Sequence, residues 1–189
     1  MDVPAASDDQ LIAAAGQGDE AAFAGLVRRH SARAHVLALR YLGSASEADD
    51  VVQEAFWRVW KSADRWRPGE AAFSTWLHRV VVNLCIDRGR RAKLRRWLPF
   101  GEAPEPEADE VGVEDRVAAS HELREVLGDI RGLPDRQRAA LLLSVQGSVS
   151  NAEIAATLGV SEKAVESLLV RARRTLRARL VEREGNEGG

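Results

Sequence analysis

Residues 150–176 read SNAEIAATLGVSEKAVESLLVRARRTL, and the spacing within them decides the fold. Ser150 followed three residues later by Glu153 is a capping-box pattern, in which a hydroxyl and a carboxylate satisfy the N–H groups that open a helix. Ile154, Ala155 and Leu158 give that helix a short apolar face. Gly159 supplies the left-handed backbone a helix end often requires, and Val160 plugs the turn. Ser161 caps a second helix whose Val165, Leu168, Leu169, Ala172 and Leu176 face inward. Short helix, glycine turn and longer helix make a helix-turn-helix, whose second helix lays its outer face in the major groove of DNA. On that face, Glu162, Lys163, Glu166 and Ser167 are placed toward base edges, and Arg171, Arg173 and Arg174 toward phosphates. An αα-hairpin with a solvated basic face is the plainer reading. The coincidence of the glycine turn, two caps and the arginine cluster favours the DNA reader.

Outward from this motif, helical periodicity fills most of the chain and alternating β patterns are nearly absent, so the expected fold is all-α. Ser7 with Gln10 opens a first helix that stops near Gly16 and Gly18, and a long helix follows from about Asp19 to Leu42, ended by Gly43. Ser46 with Asp49 repeats the capping signature before Val51, Val52, Ala55, Phe56, Val59 and Trp60, and fraying is expected around Ala63 to Arg65. Trp66-Arg67-Pro68-Gly69 reads as a loop. A helix from about Phe73 to Arg91 buries Phe73, Trp76, Leu77, Val80 and Leu84. Helical pattern resumes near Val117, Pro134 opens a further helix, and Gly147 closes it.

The formal net charge of −2 argues at first sight against a nucleic-acid partner, but charge is sorted along the chain. One basic run is Arg88, Arg90, Arg91, Lys93, Arg95 and Arg96; another is Arg171, Arg173, Arg174, Arg177 and Arg179. Between them, residues 99–115 are rich in Pro, Glu, Ala and Gly, and Glu102, Glu105, Glu107, Asp109, Glu110, Glu114 and Asp115 have no basic residue interleaved. That composition marks a flexible acidic linker, one that repels phosphate. The expected organisation is two small helical domains, 7–96 and 119–181, joined by the linker 97–118.

The C-terminal strings LPDRQRAALLLSVQG and NAEIAATLGVSEKAVESLLVRARRTLR resemble region 4 of the bacterial sigma factors, particularly the compact extracytoplasmic-function group. In that family the region reads the minus-35 promoter element, which assigns Ser161, Glu162, Lys163, Glu166, Ser167, Val170, Arg171, Arg173 and Arg174 to it. LuxR-type regulators carry a similar reader, so a regulator with a helical sensor domain is the alternative. Upstream, SEADDVVQEAFWRVW resembles sigma region 2.2, which docks on the polymerase β′ clamp helices and which LuxR-type proteins lack. The resemblance implies core-polymerase contacts by Asp49, Asp50, Gln53, Glu54, Phe56, Trp57 and Trp60. Carboxylates at a helix start also favour the macrodipole without any partner.

The string RWRPGEAAFSTWLHRVVVNLCIDRGRR is similar to regions 2.3 and 2.4, which capture the minus-10 element as single strand. Arg79, Asn83, Asp87 and Arg90 recur at helical spacing and line one polar face, opposite the Trp76, Leu77, Val80 and Leu84 stripe. Single-strand capture needs aromatic platforms and a cationic groove, so Trp66, Arg67, Arg88 and Arg91 join that set. Phe73 and Trp76 also stand at core spacing, which makes Trp66 the better aromatic for DNA.

The resemblance further implies binding to core polymerase through the β′ clamp helices and the β flap, binding to promoter DNA, and control by an anti-sigma protein. No cofactor or metal is expected: Cys85 stands alone and reads as a small buried hydrophobe, with redox sensing the competing role, and His30, His35, His78 and His121 are scattered. No glycine-rich phosphate loop or nucleophile motif supports an enzyme, and Asp49, Asp50 and Glu54 read as capping before they read as a nuclease metal site. With no window approaching a membrane span and no leader pattern, the expected location is the cytoplasm, without membrane insertion.

Overall fold

The computed structural model describes residues 6–67, 69, 71–97, 121–146 and 149–187. Those residues form eight α-helices and one 3-10 turn, with no strand among them, as the periodicity requires. Helix α1 (Asp8–Ala15) opens on a full capping box: the Ser7 N–H donates to Gln10 Oε1 at 2.8 Å, and the Gln10 N–H donates to Ser7 Oγ at 3.3 Å. Helix α2 (Glu20–Leu42) is capped by the Asp19 carboxylate and ends on Gly43, whose φ of 81° only glycine adopts without strain.

Helix α3 (Ala45–Ser62) corrects one expectation. Its N-cap is Ser44, whose hydroxyl accepts from the Glu47 N–H at 3.2 Å, so the helix begins before Ser46 and the Ser46/Asp49 pair lies inside it. Both serines satisfy the spacing rule, and Gly43 immediately before Ser44 decides between them by forcing the turn there. The 3-10 turn Ala63–Arg65 falls where fraying is expected, and α4 (Phe73–Trp97) runs past Arg91.

The C-terminal half comprises α5 (His121–Arg131), α6 (Asp135–Ser144), α7 (Asn151–Leu158) and α8 (Glu162–Glu187). Pro134 is the N-cap of α6, one position before the first helical turn. Apart from Trp97, the linker expected over 97–118 lies outside the described residues, as do Pro68 and the Gly147 stop.

In α1 to α4, Ile12, Leu26, Leu37, Tyr41, Val51, Val59, Phe73 and Leu77 are all at most 2% exposed. Each such side chain removed from water contributes about 1.5–3 kcal/mol, enough to fix how the amphipathic helices pack. The core does not stop at the end of this bundle. Leu142, Leu143, Ile154, Val165 and Leu169 of the C-terminal half belong to the same contiguous buried cluster. Contact between the halves runs from α2 to α5 and α6 and from α4 to α7. The distal part of α8 is stapled onto α5 by Arg183, which pairs with Glu125 at 2.8 Å and with Asp129.

Candidate functional site

Three surfaces gather the chemistry. The first is the outer side of α8. The Ser150 capping box forms as expected, with Ser150 N–H donating to Glu153 Oε2 at 2.7 Å, and Gly159 takes a φ of 63°. Ser161 Oγ accepts from the Ala164 N–H at 3.2 Å and starts α8. Val165, Leu169 and Ala172 turn into the core, which leaves Glu162, Lys163, Glu166, Val170, Arg171, Arg173 and Arg174 exposed on the opposite side. Ser167 is half-buried, and its hydroxyl donates back to the Lys163 carbonyl at 3.0 Å. Val170 is 63% exposed, so this helix presents an apolar contact among charged ones, the kind a thymine methyl accepts.

The second surface is an open groove of about 590 Å³ between α3 and α4, lined among others by Asp50, Gln53, Glu54, Trp57, Asp87 and Arg91. Arg88 spans it to Asp50 at 3.1 Å. Asp49 sits beside His35 Nε2 at 3.0 Å, and Glu54 pairs with Arg58 at 2.8 Å, both on the exposed side of α3. The aromatics divide differently from the sequence assignment. Phe56 is only 6% exposed and belongs to the core, and Trp60 is half-buried, its ring 4.9 Å from that of Phe23. Trp57, 53% exposed with Lys61 Nζ 4.7 Å over its ring, is the aromatic of this helix that stands most open to solvent. Phe56 turns the other way, its ring 6.2 Å from that of Phe23.

The third surface is the polar side of α4. Arg79, Asn83, Asp87, Arg90 and Arg91 are exposed as the helical spacing requires, and Arg88 is half-buried. Trp66 is not a free platform. Its ring lies 6.2 Å from Phe73 and 5.2 Å from Trp76, and its Nε1–H donates to Asp9 at 3.3 Å. A tryptophan on a loop beside two aromatics gains more by joining them than by standing in water, which the local Pro-Gly signal does not reveal. Arg67 beside it is exposed. The structure thus brings Asp50, Glu54, Trp57, Asp87, Arg88 and Arg91 together around one groove, and it places the α8 set on a separate helix.

Sequence reasoning missed Arg138. This arginine is 7% exposed, its Nη1 donates to the Tyr41 carbonyl at 3.2 Å, and its guanidinium stacks 4.4 Å from the Tyr41 ring. An arginine in the first turn of a helix carries no signal of burial, because the partner lies 97 residues away. Cys85 is fully buried, and burial pushes its thiol up to about 12. Among the described residues no group of three His, Cys, Asp or Glu is placed to hold a metal ion, and no helix is long and apolar enough to cross a membrane.

Residues 26–95 match the Sigma-70 region 2 family and residues 124–176 match Sigma-70, region 4. The ECF RNA polymerase sigma factor SigM of Mycobacterium tuberculosis is 40% identical over 93% of this chain and 85% of its own. Among solved structures, CnrH in complex with the cytosolic domain of CnrY superposes with a TM-score of 0.69 at 32% identity, covering 93% of this chain and 97% of that one. The sigma factor RpoE of Bartonella quintana, solved with the anti-sigma factor NepR, shares the fold at a TM-score of 0.64 and 20% identity, over 84% of this chain and 96% of its own.

Proposed function

The chain belongs to the ECF RNA polymerase sigma factors, and from that premise we propose how its surfaces divide the work of promoter-specific initiation. Residues 7–96 act as the polymerase-docking and minus-10 domain, residues 119–181 as the minus-35 reader, and 97–118 as the spacer between them. Asp49, Asp50, Gln53 and Glu54 steer α3 toward a basic partner helix, while Trp57 supplies the buried anchor; electrostatics sets the encounter and the aromatic the residence time. The polar face of α4, from Arg79 and Asn83 to Arg90 and Arg91, receives the minus-10 strand. The exposed side of α8 reads the minus-35 duplex.

The observation that carries this reading is the combination, in one chain, of a helix-turn-helix with the α3–α4 groove. A LuxR-type regulator would have the first without the second, and the region 2 match over residues 26–95 removes that alternative. Tethering the two DNA contacts raises the effective concentration of the second once the first has formed. That CnrH was solved in complex with the cytosolic domain of CnrY supports control of this chain by a bound protein, which we assign as an anti-sigma factor. The factor works in the cytoplasm and catalyses no reaction itself.

Reconstitution with bacterial core polymerase tests the assignment. The full chain is expected to co-elute with core and to direct initiation from its promoter, and Trp57→Ala is expected to weaken co-elution about tenfold or more, the range of an interface anchor. Asn83→Ala in the same holoenzyme should reduce promoter opening while leaving co-elution intact. Absence of promoter-directed initiation by the unmodified chain would remove the reading.

A further inference from the structure

Glu166 is the charged side chain on the reading side of α8 that neither its own helix nor a phosphate accounts for. It shares an exposed stripe with Lys163, Val170, Arg173 and Arg174, at spacings of three, four, seven and eight residues, while Val165, Leu169 and Ala172 turn into the core. Glu162, the other carboxylate of that side, stands in the first turn, where the positive end of the helix dipole favours it. Glu166 lies in the second turn, where that influence has faded, and the cap of α8 is already made by Ser161, whose Oγ accepts from the Ala164 N–H at 3.2 Å. Among the described residues no hydrogen bond or ion pair engages its carboxylate. Four positions before it stands a like charge, Glu162, and four positions after it Val170, so neither place offers the lysine or arginine that would pair with it along the helix. A carboxylate brought to duplex DNA is repelled by the phosphates, and only a donor on a base edge offsets that. The major groove presents two such donors, the N4 amino group of cytosine and the N6 amino group of adenine. Adenine sets its N7 acceptor beside the amino group, which repels a carboxylate, whereas the ring of cytosine sets only a C–H there.

We propose that Glu166 is a specificity determinant of the minus-35 element, selecting a cytosine by accepting a hydrogen bond from its N4 amino group. The proposal rests on the assignment of α8 as the duplex reader. Arg171, Arg173 and Arg174, all exposed, hold the helix against phosphates whatever the sequence and offset the repulsion that the carboxylate meets. Glu166 then discriminates as much by penalty as by attraction: guanine presents O6 and N7 and thymine presents O4, acceptors that leave the carboxylate without a partner. The Ser167 hydroxyl next to it has its one proton on the Lys163 carbonyl at 3.0 Å, so it does not duplicate this readout as a donor. Val170, 63% exposed and four residues on, lies about 6 Å further along the helix and faces a different base pair, which confines the effect of Glu166 to one position of the element.

The test is a selection from promoter duplexes whose upstream element is randomised, using holoenzyme reconstituted from core polymerase and the full chain. The unmodified chain is expected to enrich an element with a cytosine, on one strand or the other, at a position where Glu166→Ala lowers the preference about tenfold while the remaining positions are kept. Glu166→Gln should exchange that cytosine for adenine, because an amide can accept from N6 while donating to N7. Titration of the full chain with a duplex lacking the element gives a second readout. There Glu166→Ala should bind several-fold more tightly than the parent, the opposite direction to Arg171→Ala, since a negative charge has left the side that meets the phosphates. Variants that enrich the parental base at every position would overturn the proposal alone, as would an affected position that holds no cytosine in the parent. Weakening of Glu166→Ala on all duplexes alike would also overturn it, by assigning the residue a structural role. A parent that enriches no upstream element would overturn the minus-35 reading itself, and the proposal with it.

Discussion

Gly16 closes α1 directly against the backbone of the 3-10 turn: a Cβ there would stand 2.7 Å from the Ala63 carbonyl oxygen and 2.9 Å from its carbon. Backbone cannot rotate aside as a side chain can, so Gly16→Ala should destabilise the chain by about 1–3 kcal/mol, read as a lower urea midpoint. A midpoint equal to the parent's would mean that α1 shifts freely on α2. Cys85 illustrates the opposite kind of residue, inert through burial. Desolvation raises its thiol to about 12 against the opposing pull of Arg88 and Arg138, so it should resist a disulfide reagent at about pH 8 in the native chain and react on unfolding. Rapid native labelling would reopen the redox role. At this scale the sequence identified exposed charges well and aromatics poorly. Phe56 and Trp57 are neighbours on one helix with opposite fates, and a shift of one residue is about 100° around the helix, finer than a loosely periodic stripe resolves.

Caps and glycine turns were legible at the scale of the element, because they depend on groups within three residues of each other. Ser7 and Ser150 form the capping boxes their spacing predicts, and Gly43 and Gly159 take the left-handed turns. Ser44 and Ser46 are each followed three residues on by an acid, Glu47 or Asp49, and the cap falls on Ser44, directly after Gly43, rather than on Ser46, where the sequence reading places it. The exposed arginines of α8 lead to a prediction belonging to that helix. Replacing Arg171 or Arg174 with Ala should weaken duplex binding across sequences and reduce the steepness of its salt dependence, by about 0.9 in the log–log slope for each phosphate no longer neutralised. An unchanged slope in both variants would show that neither arginine neutralises a phosphate and leave α8 reading DNA by other residues.

Across the whole molecule, the seam between the halves encloses a small cavity of about 60 Å³ lined by His30, Arg33, Ser74, His78, Gln146 and Glu153 among others. Burial lowers the pKa of His78 from its ordinary 6.5, reinforced by His30 and Arg33 of α2 and opposed by Glu153 of α7; Asp8 of α1 in turn holds His30 at 2.8 Å. Because the folded value lies below the unfolded one, the stability this residue contributes is complete above about pH 6.5 and is lost as the pH falls through the folded value. Glu153 is shifted in the same direction, by the Ser150 N–H and hydroxyl that bond it, but its losses come only at the lower pH of carboxylate titration. Urea midpoints should therefore drop as the pH falls below about 6.5, and His78→Gln should flatten that drop. An equal drop in the variant would assign it to another group. Tyr41 stays a donor to Asp135 throughout, since burial pushes its phenol up.

The sequence by itself determined the helices, the caps at Ser7, Ser150 and Ser161, the turn at Gly159 and the separation of inward from outward residues on α8, all of which rest on interactions within a few positions of chain. Only the tertiary structure decided that Trp66 joins an aromatic cluster, that Phe56 lies in the core, and that Arg138 and Arg79 cap helices of the opposite half. The two arginines reach partners 77 and 97 residues away, and Trp66, packed on Phe73 and Trp76, is also tied to Asp9, 57 residues away. A helix end presents the same unpaired carbonyls whatever follows it, and which side chain reaches them is settled by how the finished bundles meet.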